Sequence, residues 1–98
     1  MRKTLDEIKD IINKHKSELR DEHKITEIGL FGSYVRGEQK RRSDIDILVE
    51  FDEPVSLLHI VGAELYLKEI LRMKVDLVPK IDLRPELRER ILAETVLI

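Results

Sequence analysis

Leu5, Ile8, Ile12 and Leu19 fall on one face of a helix, with His15 on the same stripe and charged residues between them. Thr4-Leu5-Asp6-Glu7 has the form of a capping box, so this first helix is expected to begin at Thr4. From Ile25 to Phe31 the spacing changes to a β-branched and apolar run that ends in Gly32, which predicts the first strand. Ser33 is placed to cap a short helix and Gly37 to end it. A second strand is predicted over Asp44-Ile45-Asp46-Ile47-Leu48-Val49-Glu50-Phe51. There, a period of two sets Asp44 and Asp46 on one face and Ile45, Ile47, Val49 and Phe51 on the other, which must be the buried one.

Beyond Asp52-Glu53-Pro54, Ser56 can cap a long helix running to about Met73. Its apolar band is broad: Ile60, Ala63, Leu67, Ile70 and Leu71 form one side, and Leu57, Val61 and Leu65 extend it. This surplus predicts a wide intramolecular contact, with a partner surface as the alternative. Lys74-Val75-Asp76-Leu77-Val78-Pro79 reads as a third strand, sending Val75 and Leu77 one way and Asp76 with Val78 the other. Pro85 suits the first turn of a last helix, and the apolar end Val96-Leu97-Ile98 is expected to dock on the first helix or to join a partner or twin subunit.

The order is helix, strand, short helix, strand, helix, strand, helix. Three short strands with helices that cannot cover both faces predict a small α/β or α+β sandwich. The helices lie mainly on one face of a mixed sheet, and the acids lie on the other. At 98 residues the chain is expected to form a single domain, 1–98, with one core and no separate substrate domain.

Composition removes several function classes. With 18 basic and 20 acidic residues and 4% aromatics, neither a basic footprint nor stacking platforms support nucleic-acid binding. The absence of cysteine excludes disulfides and thiolate zinc sites. No apolar run approaches membrane-spanning length and the first residues lack a signal-peptide core, so the reading is a cytoplasmic protein with no membrane partner. His15 is expected as a packed histidine, since no second ligand accompanies it, and His59 as a solvent-side residue.

The candidate chemistry lies between Gly29 and Phe51. Gly32-Ser33 offers backbone N–H groups where a strand gives way to a helix, a setting suited to phosphate oxygens. Arg36 follows within one turn as the nearest cation, while Lys40-Arg41-Arg42 reads as solvated loop. Asp44 and Asp46 are hard oxygen ligands whose mutual repulsion a divalent cation would relieve. An ordinary half-solvated strand alternates in the same way, so the acid pair alone does not decide between these readings.

The full spacing does more. Gly32-Ser33, Arg36-Gly37 and Ser43-Asp44-Ile45-Asp46 resemble the Gly-Ser…Asp-x-Asp signature of the DNA polymerase β-like nucleotidyltransferase superfamily. The short chain and its Arg-Gly-Glu and Ser-Asp-Ile-Asp forms most resemble the minimal nucleotidyltransferases, the MNT or MntA-type partners of HEPN proteins, over essentially the whole chain. The resemblance implies that Asp76 is a third catalytic carboxylate beside Asp44 and Asp46, and that all three bind metal, as two Mg²⁺ ions. It assigns nucleotide binding to Gly32, Ser33, Arg36 and Ser43. It further implies an antitoxin that transfers AMP from ATP to a tyrosine hydroxyl of a cognate HEPN RNase toxin. Two alternatives are a small-molecule nucleotidyltransferase of the aminoglycoside-modifying kind and a non-catalytic antitoxin that blocks its partner by contact. Self-modification at Tyr34 or Tyr66 is a further option.

Overall fold

A computed structural model describes residues 3–38 and 44–98. The helices are α1 (Leu5–Lys14), α2 (Lys16–Asp21), α3 (Ser33–Arg36), α4 (Leu57–Leu71) and α5 (Pro85–Glu94). The strands are β1 (Ile25–Phe31), β2 (Ile45–Phe51), β3 (Val75–Pro79) and β4 (Val96–Leu97). They form one mixed sheet in the order β3-β2-β1-β4, antiparallel at β2-β1 and β1-β4 and parallel at β2-β3. The α/β (α+β) class expected from the sequence is the observed one, with four strands among the described residues instead of three.

The fourth strand adds a contact that the expectation for the chain end did not include. Val96-Leu97 pairs with Leu30 and Gly29 at the edge of β1, the Ile98 N–H donates to the Ile28 carbonyl at 3.0 Å, and Ile98 packs on the core cluster that includes Ile8 and Ile12 of α1. Gly29 makes this approach possible, because a Cβ there would lie 2.6 Å from Thr95 Cγ2 and 3.2 Å from the Val96 carbonyl.

The first helix is broken in two at His15, although the apolar stripe runs through the break to Leu19. His15 Nδ1 bonds the Ile11 carbonyl at 2.8 Å, the acceptor that a continuing helix would give to the His15 N–H. That N–H turns to Ile12 instead, at 3.0 Å. His15 is packed edge-on against Tyr66, as its isolation from other ligands suggested. The N-terminal cap is as read: Thr4 Oγ1 accepts from the Glu7 N–H at 3.1 Å and Glu7 Oε1 accepts from the Thr4 N–H at 3.2 Å. Replacing Thr4 by Ala is expected to cost about 1 kcal/mol of stability, measurable by urea unfolding.

The main core lies between the sheet and α1, α2 and α4. Ile8, Ile12, Leu19, Ala63, Leu67 and Leu71 meet Ile28, Leu30, Ile45, Ile47, Val49, Val75 and Leu77. The opposite face carries a smaller cluster in which Phe31, Leu48 and Leu83 pack with Val78, Ile91 and Leu92. α5 therefore covers part of the face that carries the acids, while Asp44 and Asp76 at one end of that face and Glu27 and Glu50 towards the other are exposed. Leu48 is buried there, 4% exposed, although it shares the face of the acids.

The surplus apolar band of α4 is not absorbed internally. Ala63, Leu67 and Leu71 are buried, whereas Leu57, Leu58, Val61 and Leu65 are 76, 83, 47 and 58% exposed, against the expected wide intramolecular contact. Ser56 caps α4 as expected, its hydroxyl accepting from the His59 N–H at 3.1 Å. His59 is not solvent-side: its Nε2 meets the His23 carbonyl at 2.7 Å and its ring lies edge-on to Phe51. Among the described residues, no helix is long and apolar enough to cross a membrane.

Candidate active site

Three strand registers bring the candidate residues to one end of the sheet. β2 and β3 run parallel with Asp46 opposite Asp76, and β1 runs antiparallel to β2 with Phe31 opposite Asp46. The exit of β1 into Gly32 and Ser33 therefore sits beside the entry of β2, with the entry of β3 on its far side. Alternation then turns Asp46 and Asp76 to the open part of one face while Ile45, Ile47, Val75 and Leu77 enter the core on the other. Asp44 lies just before β2 and is exposed, Asp46 is half-buried and Asp76 is exposed. The two carboxylates with the clearest relation are thus Asp46 and Asp76, which no local reading of the sequence could have paired.

Their closeness has an electrostatic signature. Burial, and then the charges of Asp76 and Asp44, push the Asp46 carboxyl up to about 6 from the ordinary 3.8, and a hydrogen bond to Asp76 favours its protonated form further. The Arg36 charge opposes this. A carboxyl whose folded pKa is raised costs stability fully above that value and nothing below its unfolded value, so this group lowers stability as pH rises from about 4 to about 6. Asp46→Asn is accordingly expected to stabilise the chain at pH 7 by about 1–2 kcal/mol, discounted for partial exposure. Denaturant unfolding in the presence of a chelator measures it.

The donor set suits a hard divalent cation: carboxylate oxygens in lateral register, crowded enough that positive charge between them would be favourable. Among the described residues, no three or more His, Cys, Asp or Glu side chains stand together as a ready-made metal cluster. The acids are an open pair with Asp44 nearby rather than a closed cage.

The turn before the acids is shaped by Gly32. Its φ of +81° and ψ of −154° belong to glycine, and a Cβ would fall 2.0 Å from Asp46 Oδ2. Gly32 therefore lets the turn lie directly on the acid. Gly32, not Ser33, occupies the cap position of α3, and Ser33 is its first residue, so the helix begins one place earlier than expected. Gly37 ends α3 in the left-handed conformation, as expected, at φ +72°.

Arg36 stands in α3 with Nε on Glu38 Oε1 at 3.0 Å and Nη1 on both Glu94 oxygens at 3.1 Å. The hydrogen bonds to Glu38 and then Glu94 raise its pKa further above its usual value, so it is a permanent cation already paired by acids. Glu94 also accepts the Gly32 N–H at 3.1 Å. Glu94 is not among the candidate residues expected from the sequence. Its one local signal is that it is an acid set between Leu92-Ala93 and Val96-Leu97-Ile98. Ser43, the remaining candidate for nucleotide binding, and the basic run at 40–42 lie outside the described residues.

Neither tyrosine offers a free nucleophile. Tyr34 is buried at 4% exposure, and the Tyr66 hydroxyl donates to Glu18 at 2.8 Å. Burial, followed by that carboxylate, pushes Tyr66 up to about 12.

A sheet end carrying paired acids against a Gly-Ser turn is the layout of a nucleotidyl-transferring enzyme, and comparison with known proteins agrees. The family model for the nucleotidyltransferase domain matches residues 12–98. The chain belongs to this family, in its minimal, MntA-type form. Protein adenylyltransferase MntA of Thermococcus cleftensis is 50% identical over 93 residues, covering 95% of this chain and 94% of that protein. A solved toxin-antitoxin complex with AMP-PNP superposes with a TM-score of 0.71 at 32% identity, over 87% of this chain and 69% of that one. A second, in which a tri-AMPylated Shewanella oneidensis HEPN toxin is bound to an MNT antitoxin, gives 0.67 at 26% identity, over 92% and 70%.

Proposed function

We propose that this chain is the antitoxin of a HEPN/MNT toxin-antitoxin pair and acts by transferring AMP from ATP, with Mg²⁺, to a tyrosine hydroxyl of its HEPN partner. The observation that carries this reading is the register of Asp46 with Asp76 at the sheet end where Gly32 and Ser33 leave β1. The relatives support it, one being a protein adenylyltransferase and two being parts of toxin-antitoxin complexes.

In the reaction, the acceptor oxygen bonds to the α-phosphorus of ATP, the bond from that phosphorus to the β-bridging oxygen breaks, and pyrophosphate leaves. Asp44 and Asp46 would hold Mg²⁺ on the triphosphate, and Asp76 would share a second ion. When bound, the ions supply charge neutralisation at the attacking and leaving oxygens. Asp76, which is exposed, would take the proton of the acceptor hydroxyl. The turn at Gly32 and Ser33 orients the departing phosphates, and Ser43 with Arg36 would complete the nucleotide contacts. Catalysis then rests on positioning and on charge at phosphorus, and no covalent enzyme intermediate is needed. The open sheet end leaves room for a protein acceptor.

ATP labelled in either of two places tests the reaction class. When this chain is incubated with Mg²⁺, the labelled ATP and a cognate HEPN protein, α-phosphate label is expected on the partner and γ-phosphate label in pyrophosphate. Label on the partner from the γ-phosphate would make the enzyme a kinase and overturn the proposal.

A further inference from the structure

Glu94 ends α5, yet it reaches residues 62 and 58 positions earlier in the chain. One of its carboxylate oxygens accepts from both the Gly32 N–H and Arg36 Nη1, and the other accepts from the same Arg36 nitrogen, all at 3.1 Å. Its side chain is 21% exposed, whereas the acids of the other described ion pairs are 32 to 58% exposed. Charge-assisted bonds count for more in such a sheltered place than on open surface.

The contact falls on the backbone that the chemistry needs. Gly32 is buried and follows the last residue of β1, so its N–H requires an acceptor from elsewhere, which Glu94 supplies. On its other side, Gly32 lies against Asp46. One glycine is thus held between two carboxylates, one facing the candidate reaction centre and one behind the turn. Glu94 is itself fixed from both directions. α5 precedes it, and two residues later Val96 is paired with Leu30 of β1. The short β4 strand therefore anchors the end of α5 to the strand that delivers Gly32.

We propose that Glu94 is a positioning residue of the nucleotide site: by holding the Gly32 N–H and the Arg36 guanidinium, it sets the Gly32-Ser33 turn in the orientation that receives the triphosphate, without touching nucleotide itself. This rests on the nucleotide reading given above. It also revises the role expected of the Gly32 N–H, which becomes a structural tie, leaving Ser33 as the turn residue that meets phosphate.

The test uses the ¹⁵N-labelled full chain as wild type, Glu94→Ala, Glu94→Gln and, as a control on an exposed position of the same helix, Glu89→Gln. Three quantities are read: the Gly32 amide proton shift, the melting temperature and the Kd for Mg–ATP by calorimetry. In Glu94→Ala the Gly32 amide proton is expected to move upfield and the Kd to rise about tenfold, the scale of a lost charged hydrogen bond. Glu94→Gln, which keeps one oxygen acceptor, is expected to recover part of this loss, and Glu89→Gln to match wild type. Adding Arg36→Ala to Glu94→Ala is expected to raise the Kd by less than the product of the separate effects.

A Kd within twofold of wild type in a folded Glu94 variant whose Gly32 amide has moved overturns the proposal and leaves the nucleotide site standing. Tighter Mg–ATP binding overturns it too, since Glu94 would then be a competitor for the phosphate seat. If Glu94→Ala does not fold, Glu94→Gln decides between the same outcomes. Folded wild-type chain that binds no Mg–ATP removes the nucleotide reading and this proposal together.

Discussion

Gly32→Ala is expected to reduce AMP transfer by at least about 100-fold, the scale at which an ångström of misplacement acts on an oriented reaction. Two independent features enforce this. The backbone at Gly32 has a φ of +81°, which an L side chain adopts only under strain, and the added Cβ would meet Asp46 Oδ2 at 2.0 Å. Either the turn withdraws from the acid or the acid turns away from Asp76, and both separate the phosphate-orienting group from the carboxylates. The same substitution is expected to destabilise the chain by about 2–4 kcal/mol. Gly37→Ala is the informative comparison. That residue also has a positive φ, of +72°, but among the described residues a Cβ there meets nothing within 4 Å. It should share the conformational cost and keep most of the activity. Transfer rates at saturating Mg–ATP, measured below the unfolding temperature of each variant, separate the two. Equal losses in both would show that backbone strain alone is responsible.

The second large effect concerns the acids. Asp44→Asn with Asp46→Asn is expected to lower transfer at least about 1,000-fold while leaving the chain folded and able to bind its partner, because the loss falls on charge at the reacting phosphorus. Stability should move in the opposite direction. Asp46 is held at about 6 by burial and by its acidic neighbours, so neutralising it removes a repulsion that the folded chain carries without a cation. A variant that is more stable and inactive is the pattern of a functional charge cluster. A variant that loses both stability and activity would instead make Asp46 a structural residue. A non-catalytic antitoxin would keep its neutralising ability in this double variant, and the loss of neutralisation with retained binding distinguishes the modifying enzyme from it.

The parts of the fold that local pattern determines were legible in the sequence. The alternation in β2 and β3 placed Ile45, Ile47, Val75 and Leu77 in the core and turned Asp46 and Asp76 to the other face, because a one-residue shift would have buried charge. The Thr4 and Ser56 caps were legible for the same reason, each being a contact within one turn. What the pattern did not contain was any contact made across the fold. β4 is two residues long and exists only because β1 offers it an edge and Gly29 offers it room. The break at His15 depends on a side-chain bond to Ile11 that leaves the apolar stripe undisturbed. Glu94 reaches the site only once α5 and β4 are in place, so its link to Gly32 and Arg36 has no trace in local spacing. The exposed leucines of α4 failed in another way: their number was visible, but whether the fold would cover them was a question of layers, and the sheet has room for only one side of that helix.

The most direct test of AMP transfer by the Asp46–Asp76 pair is the intact mass of the HEPN partner after incubation with this chain, ATP and Mg²⁺, beside the Asp44→Asn, Asp46→Asn control. The expected result is a gain of one or more adenylyl units on the partner with wild type and none with the control. A stable complex whose partner keeps its original mass would contradict transfer to that protein.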